Sequence, residues 1–309
     1  MKDSHFISHW QPDGAGSLAR VGVLTPDSDP VPESEMWAMA PPGVSIHASR
    51  VFWSSNTLSS GNARTFAEPP HVDTATELLA GLTPNVIVYA FTSSSYVHGA
   101  EGDASLRTRL EKRARGIPVV VTGSAASEAL RTLGVRRLAL IHPPWFSEEV
   151  SASGRDYFRS CGIEVVYCAC MTPARPVTEV SPAEVYDWAT ANVPQDAEAV
   201  FIGGNGLRAV GAIQSLEETL GRPVLTANQV AFWRALRVVG RRRQRYVNTA
   251  ESLPSYDNAN AVSLAFETQQ LALRFMVCSK RCDGRGTGLE AGTATGGASS
   301  PPGKRVAHS

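Results

Sequence analysis

The sequence has no long apolar run and no excess of charge of either sign. No apolar stretch approaches the ~20 residues that cross a bilayer. The first ten residues carry Asp3, His5 and His9 instead of the apolar segment of a secretion signal. The 29 Lys and Arg residues equal the 29 Asp and Glu residues, so the concentrated basic face that binds nucleic acid is lacking. We therefore expect a cytoplasmic protein with neither a membrane nor a nucleic-acid partner.

Metal-ligand spacing is lacking as well. The chain has 5 cysteines, an odd number, and its 7 histidines are scattered along it. Cys168 and Cys170 alternate along the apolar run 164–171 without a nearby pair of histidines, whereas a metal site usually needs C-x-x-C or similar spacing. We predict buried strand cysteines there, and neither a metal nor a cofactor. The basic cluster at 241–245 stands alone and is interpreted as a solvated helix end or loop.

Short apolar runs of strand length recur along the chain, separated by helical patterns such as 124–133 and 207–220. Runs that are apolar throughout, without alternation, are typical of a parallel sheet covered on both faces. The sequence therefore predicts an α/β fold with doubly wound parallel sheets. The runs lie at 21–24, 86–90, 119–121, 138–141, 200–202 and 224–225.

An internal repeat divides the chain. Residues 20–26 (RVGVLTP) resemble 137–143 (RLALIHP), 86–93 resemble 199–206, and 116–120 resemble 221–225, in the same order. We predict two similar lobes related by pseudo-twofold symmetry, lobe one at 20–135 and lobe two at 136–240. Each lobe is expected to have its own core and to end in a helix closed by a glycine, Gly134 or Gly240.

The remaining segments are predicted from composition and periodicity. Residues 1–19 form an N-terminal extension, and 241–283 form a C-terminal segment with a helix at 259–277. That helix is expected to pack on the lobes or on a second subunit, which keeps a homodimer as a candidate assembly. Residues 284–309 are rich in Gly, Ala, Ser, Thr and Pro and are expected to be disordered.

Ligands of open α/β sheets bind beyond the carboxyl ends of the strands. In lobe one this rule points to Thr92, Ser93 and Ser94, which follow a strand and are predicted to open a helix. Amide groups at a helix start bind anions, although hydroxyls there also serve as simple helix caps. Both interpretations stay open at this point.

The matching place in lobe two holds Gly204, Asn205 and Gly206, where the backbone can approach a ligand closely. Residues 204–209 also fit the dinucleotide pattern G-x-G-x-x-A. The next strand, however, ends at 226–228 without an acidic residue to hold a ribose. A dinucleotide-dependent oxidoreductase is therefore disfavoured.

Several motifs together resemble one group of enzymes. They are T-S-x-S at 92–95, L-G-V-R-R-L-A-L at 133–140 with Pro-Trp beyond it, N-G-L-R at 205–208, and Pro-Val with Phe-Trp at 223–233. In order and spacing they resemble maleate cis-trans isomerase and arylmalonate decarboxylase, of the aspartate/glutamate racemase superfamily, over about residues 20–240. The resemblance implies a cofactor-independent isomerase or lyase that acts on a small mono- or dicarboxylic acid.

In that group each lobe presents a cysteine across the substrate. The two positions fall on Phe91 and Gly204 here, and none of the five cysteines falls on either. The resemblance assigns carboxylate binding to the hydroxyls of residues 92–94 and to the backbone of residues 204–206. It places Trp145 where the group often has Tyr, and Asp29 where the isomerase has Asn.

Without those thiols, catalysis needs another acid or base. Asp29, His142 and Tyr96 lie nearest the predicted cleft, and we take Asp29 and His142 as the candidates for proton transfer. Glu33 and Glu35 are predicted to favour a helix start through the helix dipole. Two hypotheses remain: an isomerase or lyase with a non-cysteine acid or base, or a non-catalytic carboxylate-binding or pathway accessory protein.

Overall fold

The fold is described from a computed structural model, which covers residues 14–53, 58–172 and 180–249, with side chains as far as residue 240. It contains two four-stranded parallel sheets, with the strand orders β2-β1-β3-β4 and β6-β5-β7-β8. The strands are β1 Ala19–Pro26, β2 Val44–Val51, β3 Val86–Tyr89, β4 Val119–Val121, β5 Arg137–His142, β6 Glu164–Cys170, β7 Ala199–Ile202 and β8 Val224–Thr226.

Helices connect the strands and cover the sheets. Those of lobe one are α1 Val31–Met39, α2 Ser60–Phe66, α3 His71–Gly81, α4 Thr92–Arg113 and α5 Thr122–Thr132. Those of lobe two are α6 Glu148–Ser160, α7 Pro182–Asn192, α8 Ile213–Leu220 and α9 Ala227–Thr249, with a 3-10 turn Val210–Ala212 before α8. No helix among the described residues is long and apolar enough to span a membrane.

The shared strand order confirms the predicted α/β architecture of two similar lobes. The repeated segments are the equivalent strands β1 and β5, β3 and β7, and β4 and β8. The edge strand β2 escaped sequence analysis because Ser45, His47, Ser49 and Arg50 interrupt its apolar pattern. The equivalent edge strand of lobe two is β6, which carries the half-buried Cys168 and Cys170.

Two predicted features of lobe two are wrong. The helix predicted at 207–220 begins only at Ile213: the Leu207 amide donates to the Gly204 carbonyl at 3.2 Å in a turn, and the 3-10 turn Val210–Ala212 follows. The last helix also does not end at Gly240, because α9 continues to Thr249. Gly134, by contrast, follows α5 with a φ of 70°, as a closing glycine requires.

The two lobes share their central core. One cluster of buried side chains contains Val21 and Val88 of the first sheet together with Leu138 and Phe201 of the second. Trp233 of α9 belongs to the same cluster, and α9 packs against α1, α5, β3 and β4 of lobe one. The expectation of a separate core for each lobe therefore holds only for the two outer clusters. The predicted helix at 259–277 and the tail at 284–309 lie outside the described residues.

Candidate functional site

A cavity of 890 Å³ opens between the lobes at the carboxyl ends of the strands. Its walls are the segments after β1, β3, β5 and β7, as the topology predicts. The residues predicted for the site that line it are Asp29, Phe91, Thr92, Ser93, Trp145, Gly204, Asn205 and Gly206. The repeat thus brings both lobes' strand ends to one cavity.

Thr92 and Asn205, which lie 113 residues apart in sequence, are in direct contact. The Thr92 amide donates to Asn205 Oδ1 at 2.9 Å, and the Thr92 hydroxyl donates to the same oxygen at 2.5 Å. Both side chains are buried. Asn205 therefore joins lobe two to the start of α4, and the first amide of that helix is already engaged. The Ser93 and Ser94 amides come next and have no i−4 partner in the helix.

Behind Asn205 lies a polar connection back to lobe one. Asn205 Nδ2 donates to Asn228 Oδ1 at 2.8 Å, and Asn228 Nδ2 donates to Glu35 Oε2 at 2.7 Å. Glu35 Oε1 also accepts the amides of Ala209 and Val210, at 2.8 and 2.9 Å. Burial raises the pKa of Glu35 above its ordinary value, although these three hydrogen bonds oppose the shift. The Ala209 and Val210 amides before α8 are thus occupied by a carboxylate of lobe one.

Asp29 sits at the entrance to α1 and reaches across to lobe two. Its Oδ1 accepts the Val31 amide at 3.0 Å, and its Oδ2 faces Gly206, where a Cβ atom would lie 2.9 Å from it. Burial raises the pKa of Asp29, although the Val31 amide and the Arg50 guanidinium oppose that shift. Asp29 is the one acidic side chain among the described residues that line the cavity.

The structure does not bring His142 or Ser94 to the cavity. His142 is fully buried between Tyr96 and Phe146, and burial lowers its pKa to about 3. Its Nδ1 pairs with the Ser151 hydroxyl at 2.8 Å. Ser94 is buried too, and its hydroxyl lies 3.0 Å from the Tyr89 hydroxyl oxygen. The geometry gives neither residue contact with a ligand in the cavity.

One wall of the cavity is aromatic. Phe91 packs on Phe66 with a ring separation of 4.0 Å and on Trp53 at 5.3 Å. Its ring therefore belongs to the cluster on the lobe-one side. Trp145 and Phe146 line the cavity from lobe two. The cavity thus combines apolar walls with a few polar groups, as small-molecule sites usually do.

Gly204 has a backbone that disfavours any side chain. Its φ is 85°, and a Cβ atom would lie 2.5 Å from Pro143 Cγ. Left-handed backbone costs a non-glycine residue ~1–2 kcal/mol before that clash is counted. A thiol at this position would therefore require the turn to rearrange.

One cation lies at the rim of the cavity. Arg208 lines the cavity and is exposed, and it forms no ion pair with any other described residue. A guanidinium in this position can receive an anionic group of a ligand that projects toward solvent. Across the described parts of the chain, no group of three or more His, Cys, Asp or Glu side chains is arranged to hold a metal ion.

Residues 66–251 match the model of the arylmalonate decarboxylase family. The chain belongs to that family. As a member it is 27% identical to the arylmalonate decarboxylase of Bordetella bronchiseptica over 153 residues, which are 48% of this chain and 62% of the relative. The match thus spans less than two thirds of the relative's length.

Solved structures of the arylmalonate decarboxylase and maleate isomerase types share the fold. Maleate isomerase Iso from Pseudomonas putida aligns with a TM-score of 0.64 at 20% identity, over 72% of this chain and 92% of its own. A Nocardia farcinica maleate cis-trans isomerase mutant with a covalently bound succinylcysteine intermediate gives the same values. Arylmalonate decarboxylase aligns with a TM-score of 0.58 at 23% identity, over 71% and 92%. The resemblance inferred from the sequence is thereby confirmed.

Sequence analysis missed Trp53 and the linking roles of Glu35 and Asn228. Trp53 follows the unrecognised strand β2, so no motif marked it. Glu35 is on a helix, as predicted, but it serves another helix start: its carboxylate meets amides 174 and 175 residues away. Asn228 was a usable signal, because it follows β8 at a strand end where ligands are expected.

Proposed function

We propose that this protein is a cofactor-independent lyase that decarboxylates a small malonate-type acid with an apolar substituent. The observation that carries the proposal is that Asp29 and the start of α4 line the same largely apolar cavity. The names of its relatives, arylmalonate decarboxylase and maleate isomerase, support carboxylic acids as the ligand class.

The two ends of the cavity suit the two parts of such a substrate. A carboxylate meets the Ser93 amide and hydroxyl and the backbone of Asn205 and Gly206, since helix starts and glycine turns present donors to anions. The apolar substituent packs against Phe91 and Trp145. Arg208 at the rim receives a second anionic group.

In the proposed reaction, the bond between the α-carbon and the departing carboxylate breaks and carbon dioxide leaves. The electron pair stays on the α-carbon as an enolate of the retained carboxylate, which the amides stabilise. Protonated Asp29 then delivers its proton to that carbon. Burial assists this role because it raises the pKa of the carboxyl and so favours its protonated form. His142 receives no role in the step, because it is buried away from the cavity.

The test is incubation with phenylmalonate, malonate and maleate, followed by analysis of products. Asp29→Asn should lower decarboxylation by about 10²–10⁴-fold, the usual contribution of a positioned acid. Because Asp29 must be protonated, the wild-type rate should fall as pH rises through its raised pKa, and the Asp29→Asn residual rate should lack that fall.

His142→Asn is the matched control for a titratable group outside the cavity, and it should retain the pH profile of the wild type. Conversion of maleate alone, without decarboxylation, would replace lyase with isomerase chemistry. No turnover of any of these acids would remove the enzymatic proposal.

A second candidate is a non-catalytic carboxylate-binding protein. It is favoured because no cysteine lies among the described residues that line the cavity. Thermal stabilisation by phenylmalonate without product would support it. In that case Asp29→Asn would change binding only.

A further inference from the structure

A chain of hydrogen bonds connects Thr92 to Glu35 through two asparagines, and every donor in it points toward Glu35. From lobe one the bonds run Glu35, Asn228, Asn205 and back to Thr92, with lengths of 2.7, 2.8 and 2.9 Å. Asn205 and Asn228 are buried, with 4% and 1% exposure, so water competes little for these groups. A buried amide whose oxygen and nitrogen were exchanged would pair like with like, at a cost comparable to a lost hydrogen bond.

Chemistry fixes both ends of this chain. A carboxylate only accepts, and Glu35 receives three donors: the Ala209 amide, the Val210 amide and Asn228 Nδ2. The two backbone amides have no lone pair that could take a proton, and the Asn228 NH2 group is turned this way because it also donates to the Asn205 carbonyl. At the other end, the Thr92 amide only donates.

Each asparagine is therefore forced into one orientation. Asn228 must turn its NH2 to Glu35, which leaves its Oδ1 for Asn205 Nδ2. Asn205 then presents Oδ1 to Thr92. A second bond agrees with this order, because Asn228 Nδ2 also donates to the Asn205 carbonyl at 2.8 Å.

We propose that Glu35 is a positioning residue of the carboxylate site, whose negative charge sets the orientation of Asn205 through Asn228. The oriented Asn205 holds Thr92 and so fixes the start of α4 against lobe two. The ligand then meets the Ser93 amide at a set distance from Gly206. The inference rests on the proposed function in that this helix start is taken as the carboxylate site.

A polarity exchange tests the proposal. In Glu35→Gln the oxygen still accepts the Ala209 and Val210 amides, so the new NH2 faces Asn228 Nδ2 and one donor pair conflicts. Asn228→Asp alone sets two carboxylates against each other. The double variant Glu35→Gln with Asn228→Asp restores donor-to-acceptor order, because the new aspartate accepts from residue 35 and from Asn205. The new aspartate oxygen also faces the Asn205 carbonyl oxygen, which accepted from Asn228 Nδ2 at 2.8 Å, so the restoration is partial.

The primary measurement needs no ligand: hydrogen exchange of the Thr92 amide, read by NMR. Each single variant should exchange this amide about 10- to 100-fold faster than the wild type, the effect of a broken buried hydrogen bond. The double variant should recover part of that loss and exchange more slowly than either single variant. Isothermal titration with phenylmalonate should show the same order, with affinity lowered in both singles and partly regained in the double.

Glu217→Gln is the matched control, because Glu217 is also a partly buried glutamate that accepts a backbone amide, that of Val224 at 3.0 Å, but no asparagine extends from it. It should leave the Thr92 exchange rate unchanged. A double variant as fast as the sum of its singles would overturn the proposal, and so would a Glu35→Gln variant with wild-type exchange. Failure of phenylmalonate to bind any variant would count against the proposed function and leave the exchange result to decide the role of Glu35.

Discussion

At Gly206 the lobes approach so closely that a side chain would touch the carboxylate of Asp29. A Cβ atom there would lie 2.9 Å from Asp29 Oδ2 and 3.4 Å from Trp145 Cζ2. The backbone of Gly206 does not have a positive φ, so the conflict is one of space and not of conformation. The Asp29 carboxylate must therefore move to make room for a side chain at residue 206.

Gly206→Ala should therefore lower kcat clearly while it changes the free energy of unfolding only slightly. Displacement of the proton donor by a few tenths of an ångström is expected to reduce turnover about tenfold, since small misplacements are costly in catalysis. The free energy of unfolding should change by less than ~1 kcal/mol. Steady-state kinetics and urea denaturation measure the two effects. Gly81→Ala, where a Cβ atom meets nothing within 4 Å, is the control, and equal kinetics in the two variants would argue against a proton role for Asp29.

Individual site residues differed in how far the sequence could reveal them. Thr92 and Asn205 were found because each follows an apolar strand in a repeated segment. His142 also follows such a strand, but its burial and its contact with Ser151 depend on side chains that close over it in three dimensions. The role of Glu35 was hidden for a similar reason, because its partners are supplied by the other lobe.

Among the secondary structure elements, two glycines that look equivalent in the sequence have opposite roles. Gly134 follows α5 in left-handed backbone, with a φ of 70°, whereas Gly240 lies inside α9. Gly134→Ala should therefore destabilise the protein by ~1–2 kcal/mol. Gly240→Ala should stabilise it by ~0.5–1 kcal/mol, because alanine loses less backbone entropy in a helix. Chemical denaturation of the two variants, one as the control for the other, distinguishes these roles, and a loss in both would place the end of α9 at Gly240.

Most strands were predictable because a buried parallel strand is uniformly apolar, and the repeat identified the equivalent strands of the two lobes; the edge strand β2 was not found. Helix ends were less predictable. The segment before α8 is held by contacts between lobes, since Glu35 accepts the Ala209 and Val210 amides, and α9 packs on α5 and α1 of the other lobe. The local sequence does not reveal such partners, because they are distant in the chain.

The whole molecule behaves as one unit in its core, although its sequence is a duplication. Buried residues of both sheets form one cluster, and α9 of lobe two contributes Trp233 to it. Removal of either lobe would expose this surface, and each Å² of apolar area returned to water costs ~25 cal/mol. Neither lobe is expected to be stable without the other.

Thermal unfolding of the intact protein should therefore be a single cooperative transition, with equal calorimetric and van't Hoff enthalpies. The same transition should appear in circular dichroism, which follows both lobes, and in tryptophan fluorescence, to which Trp233 of the shared cluster contributes. A chain ending at residue 135 should lack cooperative unfolding, because the faces of β1 and β3 that pack in the shared cluster would lose their partners. Two resolved transitions, or a folded lobe-one fragment, would contradict the shared core.

Phenylmalonate bound between the lobes should raise the temperature of this single transition without splitting it, since a ligand that contacts both lobes stabilises only the state in which they are joined.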